Sequence, residues 1–495
     1  MKKIALVIAL ISLPALAVGN SKDPTWWDKF QFLANNPPSA LQSSAGAKAG
    51  AFGSNVDVSN ECGPQSETFI AINTRNPSNI AGGSNEIFRL PMRGYFSTDG
   101  GAHWGGVDLP LPPPIGTNGI DFGSDPGLAF DSSGNLYYSY IVVFFSAGLG
   151  NGAINGTELA VARSVDGGKT YPQVTFFDFS GGQNHFNDKQ MVTADTTLTS
   201  PFRDNVYVAW DAASGGSGGG GVRVARSTDR GLSFTTTRVD NPNGPGRSIG
   251  ASVTTGPAGQ VYVAWNDFAA NAIVFNRSLD GGVTWGTPTT IATKQIPFDI
   301  GIPAEFNRRA LVYPACDADR STSAHRGRIT CSWMDFAQGS TTHTDIFTSV
   351  SDNQGTTWSP ARSVGDSHGG ADRFNHWLAT DAVTGTVNVS FYDTRNDTTG
   401  AGFMTDIFLT RGDGASFGLG TQVTTAPSNE HDCNGLFPCP SINYGNQQGD
   451  YEGLAAHGGI AHPIWTDSRR NTENATPSCA NGRGLMEEVF TATVK

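Results

Sequence analysis

The chain has 495 residues, beyond the size at which one compact core stops growing unless repeated units share the burial. Its 62 glycines, 29 phenylalanines and 10 tryptophans, with only 15% charged residues, read as many short strands joined by tight turns, which excludes a helical or disordered chain. A formal charge of -12 with no Lys/Arg run leaves nothing to neutralise a phosphate backbone, so nucleic acid is excluded as a partner.

In chain order, Met1-Lys2-Lys3, the apolar run from Ile4 to Leu13, the Pro14 break and Ala15-Leu16-Ala17 have the form of an export signal cut after Ala17. Residues 1–17 are then a signal peptide, the mature chain begins near Val18, and the destination is periplasmic or extracellular. The apolar run is well short of the roughly 20 residues that span a bilayer, and no later segment is longer, so no membrane span is expected. Residues 18–50, rich in Ala, Ser, Pro and Gly, are expected to form a weakly structured N-terminal extension, and 51–495 the folded body.

Within that body one octapeptide recurs at Ser97–Trp104, Ser164–Tyr171, Ser227–Phe234, Ser278–Trp285 and Ser351–Trp358, with a degraded sixth copy at Thr410–Phe417. The pattern is serine, any, acid or amide, any, glycine, any, threonine or a substitute, aromatic. It describes a hairpin turn: the carboxylate accepts N–H bonds within its own turn, glycine supplies the unusual dihedral, and the aromatic packs across the strand pair. These residues are scaffold, and no catalytic role is expected for their acids. Upstream of the copies run apolar, β-branched strands ending in an aromatic and often an acid, such as Val206–Asp211, Val261–Trp265, Ile329–Asp335 and Val387–Asp393.

Counted by the whole pattern, units begin near Thr68, Gly127, Gln190, Ala251, Val312, Trp377 and Gly453. The expected fold is all-β: a β-propeller of four-stranded blades, seven by this count and six as the alternative. The last unit ends at Glu488–Val494 with no octapeptide after it, leaving one blade short of an outer strand. The stretch Gly53–Ser59 could supply that strand and close the ring. Six cysteines in an exported chain favour disulfides: Cys316 with Cys331 and Cys433 with Cys439 across local loops, and Cys62 with Cys479 across the ends. The alternative leaves some of them as buried free thiols.

The octapeptides on a propeller resemble the Asp boxes of the bacterial sialidase-like, or BNR-repeat, superfamily, over about residues 60 to 495. That superfamily includes glycosidases, polysaccharide lyases and non-catalytic binding proteins, so the resemblance alone does not set an activity. A sialidase resembling the family would carry three arginines that clamp the substrate carboxylate, a tyrosine nucleophile activated by a glutamate, an aspartate acid/base, and six blades. The planar guanidinium fork suits a carboxylate, and a neutral tyrosine approaches an anionic sugar more easily than a carboxylate does.

Asp450-Tyr451-Glu452-Gly453-Leu454 stands where sialidases carry Tyr-Ser-x-Leu with the nucleophile, so the resemblance implies Tyr451 as nucleophile, with Asp450, Glu452 and Arg373 as the other catalytic candidates. Adjacent strand residues project to opposite faces, so a base for Tyr451 would come from another blade, with Glu67 and Glu305 available. Phe88-Arg89-Leu90-Pro91 looks like the family's Phe-Arg-Ile-Pro signature but lies too close to Ser97, and reads as a loop. Arg309, Arg373, Arg395 and Arg469 remain for the clamp, although Asp-Thr-Arg395 and Asp-Ser-Arg469 equally fit structural ion pairs.

Polar residues gather where inner strands begin, at Asp125, Asp188, Lys189, Asn375, His376, Asp450 and Glu452. In a propeller these entries ring one mouth of the central channel, the natural place for a ligand or a Ca²⁺ ion, and the bland alternative is a solvated rim. Asp125, Asp188, Lys189, His376, Arg395 and Arg469 are the substrate-binding candidates. No protein metal site or organic cofactor is expected, because zinc-protease, phosphate-loop and nucleophile-elbow motifs are absent from the sequence. Two readings stand: a glycan-directed exo-glycosidase of sialidase type, or a non-catalytic propeller that binds glycan or protein at the same mouth.

Overall fold

Runs such as Val206-Tyr-Val-Ala-Trp-Asp211 are buried at every position, because each blade has a neighbour on both faces. The structure, a computed structural model, describes residues 51–52, 55–59, 64–86, 89–113, 120–145, 154–182, 185–212, 220–244, 246–305, 308–366, 369–431, 448–469 and 487–495. Over these residues the chain is all-β, in seven four-stranded antiparallel blades. Their innermost strands are Gln65–Ile72, Ile120–Phe130, Asp188–Ala194, Ser248–Thr255, Ala315–Ala318, Arg373–Thr380 and Gly453–His457, for blades 1 to 7 in order. Each packs on the next, and that of blade 7 returns to that of blade 1, so the ring is closed. No helix among the described residues is long and apolar enough to cross a membrane.

The second strand of each blade carries the core. Trp210, Trp265, Trp333 and Trp465 occupy matching places near its end in blades 3, 4, 5 and 7, all but fully buried, and Phe391 does so in blade 6. Third and fourth strands meet at the octapeptide turns. In blade 4, Ser278 Oγ donates to Asp280 Oδ1 (2.8 Å) and accepts from Gly282 N (2.8 Å). Asp280 in turn accepts from Val283 N, Thr284 N and Thr284 Oγ1 at 3.1, 2.9 and 2.6 Å. The Ser97, Ser164, Ser227 and Ser351 turns repeat the serine-to-acid-or-amide bond and the glycine N–H bond. Glycine is required at the fifth place: Gly355 has φ +79°, and a Cβ there would meet Phe275 Cε1 at 2.0 Å. The carboxylates are thus occupied by their own turns. In the degraded copy Asp413 accepts instead from Ala415 N and Ser416 N.

The missing outer strand of blade 7 comes from the other end of the chain. Asn55–Asp57 pairs antiparallel with Glu488–Ala492, in the register Asn55↔Ala492, Val56↔Thr491, Asp57↔Phe490. Asn55 then ties this strand to blade 6: its Nδ2 donates to Val423 O (2.9 Å), and its Oδ1 accepts from Thr425 N (2.8 Å) and Arg469 Nη2 (3.1 Å). Cys316 and Cys331 are directly opposed across the first two strands of blade 5 and are disulfide-bonded. Cys62, Cys433, Cys439 and Cys479 lie outside the described residues, as do residues 1–17 and 18–50.

Candidate ligand site at the channel mouth

Five innermost strands share one irregularity. Pairing slips between Ser66 and Phe69, Ser124 and Gly127, Asp188 and Met191, Ile249 and Ser252, and Phe374 and Trp377. At each slip one residue takes positive φ: Glu67 (51°), Asp125 (59°), Lys189 (52°), Gly250 (74°) and Asn375 (41°). A bulge of this kind re-aims a side chain that regular pleating would send into a blade face. Tyr313 and Tyr451 hold the same offset ahead of the strands of blades 5 and 7, so each blade gives one residue to the ring: Glu67, Asp125, Lys189, Gly250, Tyr313, Asn375 and Tyr451.

Lys189 is the hub. Its Nζ lies 2.6 Å from Asp450 Oδ2, 3.2 Å from Glu67 Oε2 and 3.5 Å from Asp125 Oδ2, and it sits over the rings of Tyr451 and Tyr313 at 4.8 and 5.5 Å. Arg308, from the loop ahead of blade 5, reaches Asp450 Oδ1 at 2.5 Å and Glu67 Oε1 at 3.6 Å. Asn85 joins them, donating to Glu67 Oε2 (2.9 Å) and accepting from Asp125 N (2.7 Å).

Burial works against every charge here, and the pairings decide which survive. Burial would lower the Lys189 pKa, but Asp125, Asp450 and Glu67 outweigh it and hold the ammonium charged. Burial pushes Asp450 up, yet Arg308 and Lys189 keep its carboxyl well below the usual range, and Lys189 likewise holds Asp125 low against its burial. Glu67 and Asp188 are pushed well up by burial, beyond what Lys189 can offset. The pairings therefore favour ionised Asp450 and Asp125 beside Lys189 and Arg308, while burial works against ionisation of Glu67 and Asp188.

Beside it a small apolar hollow is lined by Lys189, Met191, Gly250, Tyr313, Trp377 and Tyr451. Gly250 makes this wall possible, since a Cβ there would meet Tyr313 Cδ1 at 2.1 Å. The Tyr451 hydroxyl donates to Pro126 O (3.4 Å), and burial, then Asp125, raises its pKa well above that of a free phenol.

Asp125, Asp188, Lys189, Asp450 and Tyr451 thus come together, while other sequence candidates lie elsewhere. Arg373 is fully buried in the seam between blades 5 and 6, bonded to Asp393 Oδ2 (3.0 Å), Asp345 Oδ1 (3.1 Å) and the carbonyls of Val364 and Asp366 (2.7 Å each). Arg395 grips Asp393 and Asp366 and stacks on Phe408, while Arg469 grips Asp467 and stacks on Phe490. These two are one device repeated in blades 6 and 7. Arg309 pairs with Asp299, and Arg89 with Asp108. His376 is buried, its pKa lowered to about 4 by burial, and its Nε2 has no partner among the described residues.

Glu452 faces away from Tyr451 and is bonded by Thr68, Tyr392 and Thr466. Asn375 donates to Gly449 O (2.9 Å), which fixes the approach to blade 7. The sequence reading had no motif for Arg308 or Tyr313. Each ring residue lies two places ahead of the point where regular pairing resumes or begins, a register that no motif in the sequence marks.

No protein-family model matches the sequence, and no curated protein does. Solved structures do match, at low identity. The leech intramolecular trans-sialidase is 12% identical with a TM-score of 0.45, over 67% of this chain and 65% of its own. The Hadza microbial sialidase Hz136 is 15% identical with a TM-score of 0.43, over 67% and 64%. The intramolecular trans-sialidase from Ruminococcus gnavus is 12% identical with a TM-score of 0.44, over 66% and 91%. The chain thus spans just under two thirds of the first two of these proteins. The blade count and the mouth described above rest on this chain's own strand register and contacts.

Proposed function

We propose that the chain is an exported, glycan-directed propeller that recognises its ligand at the channel mouth and does so without sialidase-type hydrolysis. The observation that carries this reading is the state of Tyr451. Its hydroxyl is bonded to a backbone carbonyl, its pKa is raised by burial, and no carboxylate among the described residues is hydrogen-bonded to it as a base. A phenol in that state is a poor nucleophile at neutral pH.

The cations point the same way. Lys189 and Arg308 are engaged with Asp450, Glu67 and Asp125, while Arg373, Arg395 and Arg469 are held by acids of blades 5 to 7. A clamp for an anionic sugar needs guanidinium groups free to fork onto it. What the mouth offers instead is a narrow hollow lined by Tyr313, Trp377 and Tyr451, of which Trp377 alone is partly exposed, so a neutral sugar would stack its apolar face on Trp377. Reading the octapeptides as Asp boxes supports the glycan-directed class, and the leader-like residues 1–17 support export.

Binding to a glycan array by the chain beside Trp377→Ala tests the proposal. Recognition of a neutral terminal sugar that weakens about fivefold or more in the variant is expected, since losing a stacked aromatic face costs about 1 kcal/mol or more. Binding unaffected by the variant would place the site elsewhere.

A further inference from the structure

Glu452 follows the ring residue of blade 7 and points into the seams on either side of that blade. Its carboxyl is fully buried and meets three blades at once: Thr68 Oγ1 of blade 1, the Tyr392 hydroxyl of blade 6, and the backbone N–H of Thr466 in its own blade, 3.1 and 3.2 Å from the two oxygens. This is where the ring closes, between the last blade and the first.

Each hydroxyl also has a second acceptor. Tyr392 Oη lies 2.7 Å from Thr466 O, and Thr68 Oγ1 lies 3.1 Å from Ile464 O. Either hydroxyl can therefore accept a hydrogen bond from the carboxyl while donating its own hydrogen to a carbonyl. The neutral acid is fully satisfied in place: Oε2–H donates to Thr68, Thr68 donates to Ile464 O, and Oε1 accepts from Tyr392 and Thr466. An arrangement with alternative acceptors for its hydroxyls accommodates a carboxylic acid as readily as a carboxylate.

We infer that Glu452 is a proton-operated clasp, holding blade 7 to blades 1 and 6 while its carboxyl is neutral and loosening those seams when the carboxyl ionises. The charged groups that face it favour the neutral form. Glu305, from the loop ahead of blade 5, is buried with both oxygens unpartnered among the described residues and senses Glu452 directly. Asp467, on the second strand of blade 7, and Glu430, from the loop after blade 6, act with Glu452 on Tyr392. All three are acids. Burial is the largest cause lifting Glu452 to about 8, against the hydrogen bonds from Thr68, Tyr392 and Thr466 that pull it down.

The sign follows from linkage. A carboxyl with a raised pKa in the closed ring binds its proton there and loses it when the seam opens, so opening becomes easier as pH rises towards the folded-state midpoint and levels off above it. Amide hydrogen exchange across Gly453–His457 and Gln65–Ile72, corrected for intrinsic rates, should report a seam-opening equilibrium that grows up to about tenfold per pH unit from pH ~5.5 to ~8. Glu452→Gln, whose amide donates to Thr68 as the neutral acid does, should keep these segments protected with that pH dependence removed.

Infrared difference spectra between the wild type and Glu452→Gln should show a protonated carboxyl band at pH ~6.5, well above an ordinary carboxyl's titration. That readout does not depend on seam stability, and Tyr392→Phe offers a second folded variant in which the band shifts. Absence of the band at pH ~6.5, or identical pH dependence of exchange in wild type and Glu452→Gln, would overturn the inference.

Discussion

Lys189 joins residues from four other blades and their loops, and its energetics follow from what it leaves behind when removed. Lys189→Met keeps the aliphatic stem but leaves Asp125 a buried charge without its cation and Asp450 with Arg308 alone, and a broken buried pair of this kind costs about 3–5 kcal/mol. Glu67→Gln should cost less, about 1 kcal/mol, because burial already opposes ionisation of Glu67 and an amide still accepts from Asn85. Urea denaturation of the two variants compares them directly, and equal losses would contradict the charge assignment. Of the polar residues at the entries to inner strands, Asp125, Asp188, Lys189, Asn375 and Asp450 gather around the channel, whereas Glu452 turns into the seams and His376 is buried elsewhere. Their partners were not legible in the sequence. Arg373 precedes an inner strand as a clamp arginine would, yet its side chain runs into the seam of blades 5 and 6, since only the bulge residue two places on is turned to the channel. Arg308 could not have been singled out, because its role depends on a loop that brings it 142 positions along the chain to Asp450.

At the scale of elements, the turn and the closing strand behave as independent parts. Asp280→Ala removes an acceptor from a solvent-facing turn and should cost about 1 kcal/mol in denaturation, with ligand binding at the mouth unchanged. Asn55→Ala should cost more, about 2–3 kcal/mol, because it removes the buried bonds from Asn55 to Val423 O and Thr425 N at the junction of blades 6 and 7. Loss of the same size from both would contradict the assignment of Asn55 to ring closure. Turns and strands were the most legible level, because the octapeptide's serine, acid and glycine act within eight consecutive residues. Closure was legible only by elimination: the last unit lacked an outer strand, and Gly53–Ser59 lay within the body with no other place. The structure uses Asn55–Asp57 of that stretch.

For the whole molecule, buried acids set the response to pH. Burial raises Asp211 to about 8, Glu430 to about 7 and Glu452 to about 8, and lifts Glu67, Asp188, Glu305 and Glu487 as well. Unfolded carboxyls titrate near ~4, so these groups contribute stability that is complete below that pH and is lost as pH rises through their folded values. His376 and His462 act oppositely, since burial lowers each to about 4 and their contribution is lost as pH falls from ~6.5. Between pH ~6.5 and ~8 the acids dominate, since Lys294, which burial lowers to about 8, opposes them only from about pH 8 upward; the melting temperature should therefore fall from pH ~6.5 to ~8, and a flat or rising profile would contradict the picture. The most direct test of the functional account is fluorophore release from an aryl sialoside and a panel of neutral aryl glycosides, by the chain beside Tyr451→Phe. The account predicts no turnover by either protein on any of them; turnover by the wild type that vanishes with the Tyr451 hydroxyl would contradict it and establish a sialidase-type enzyme.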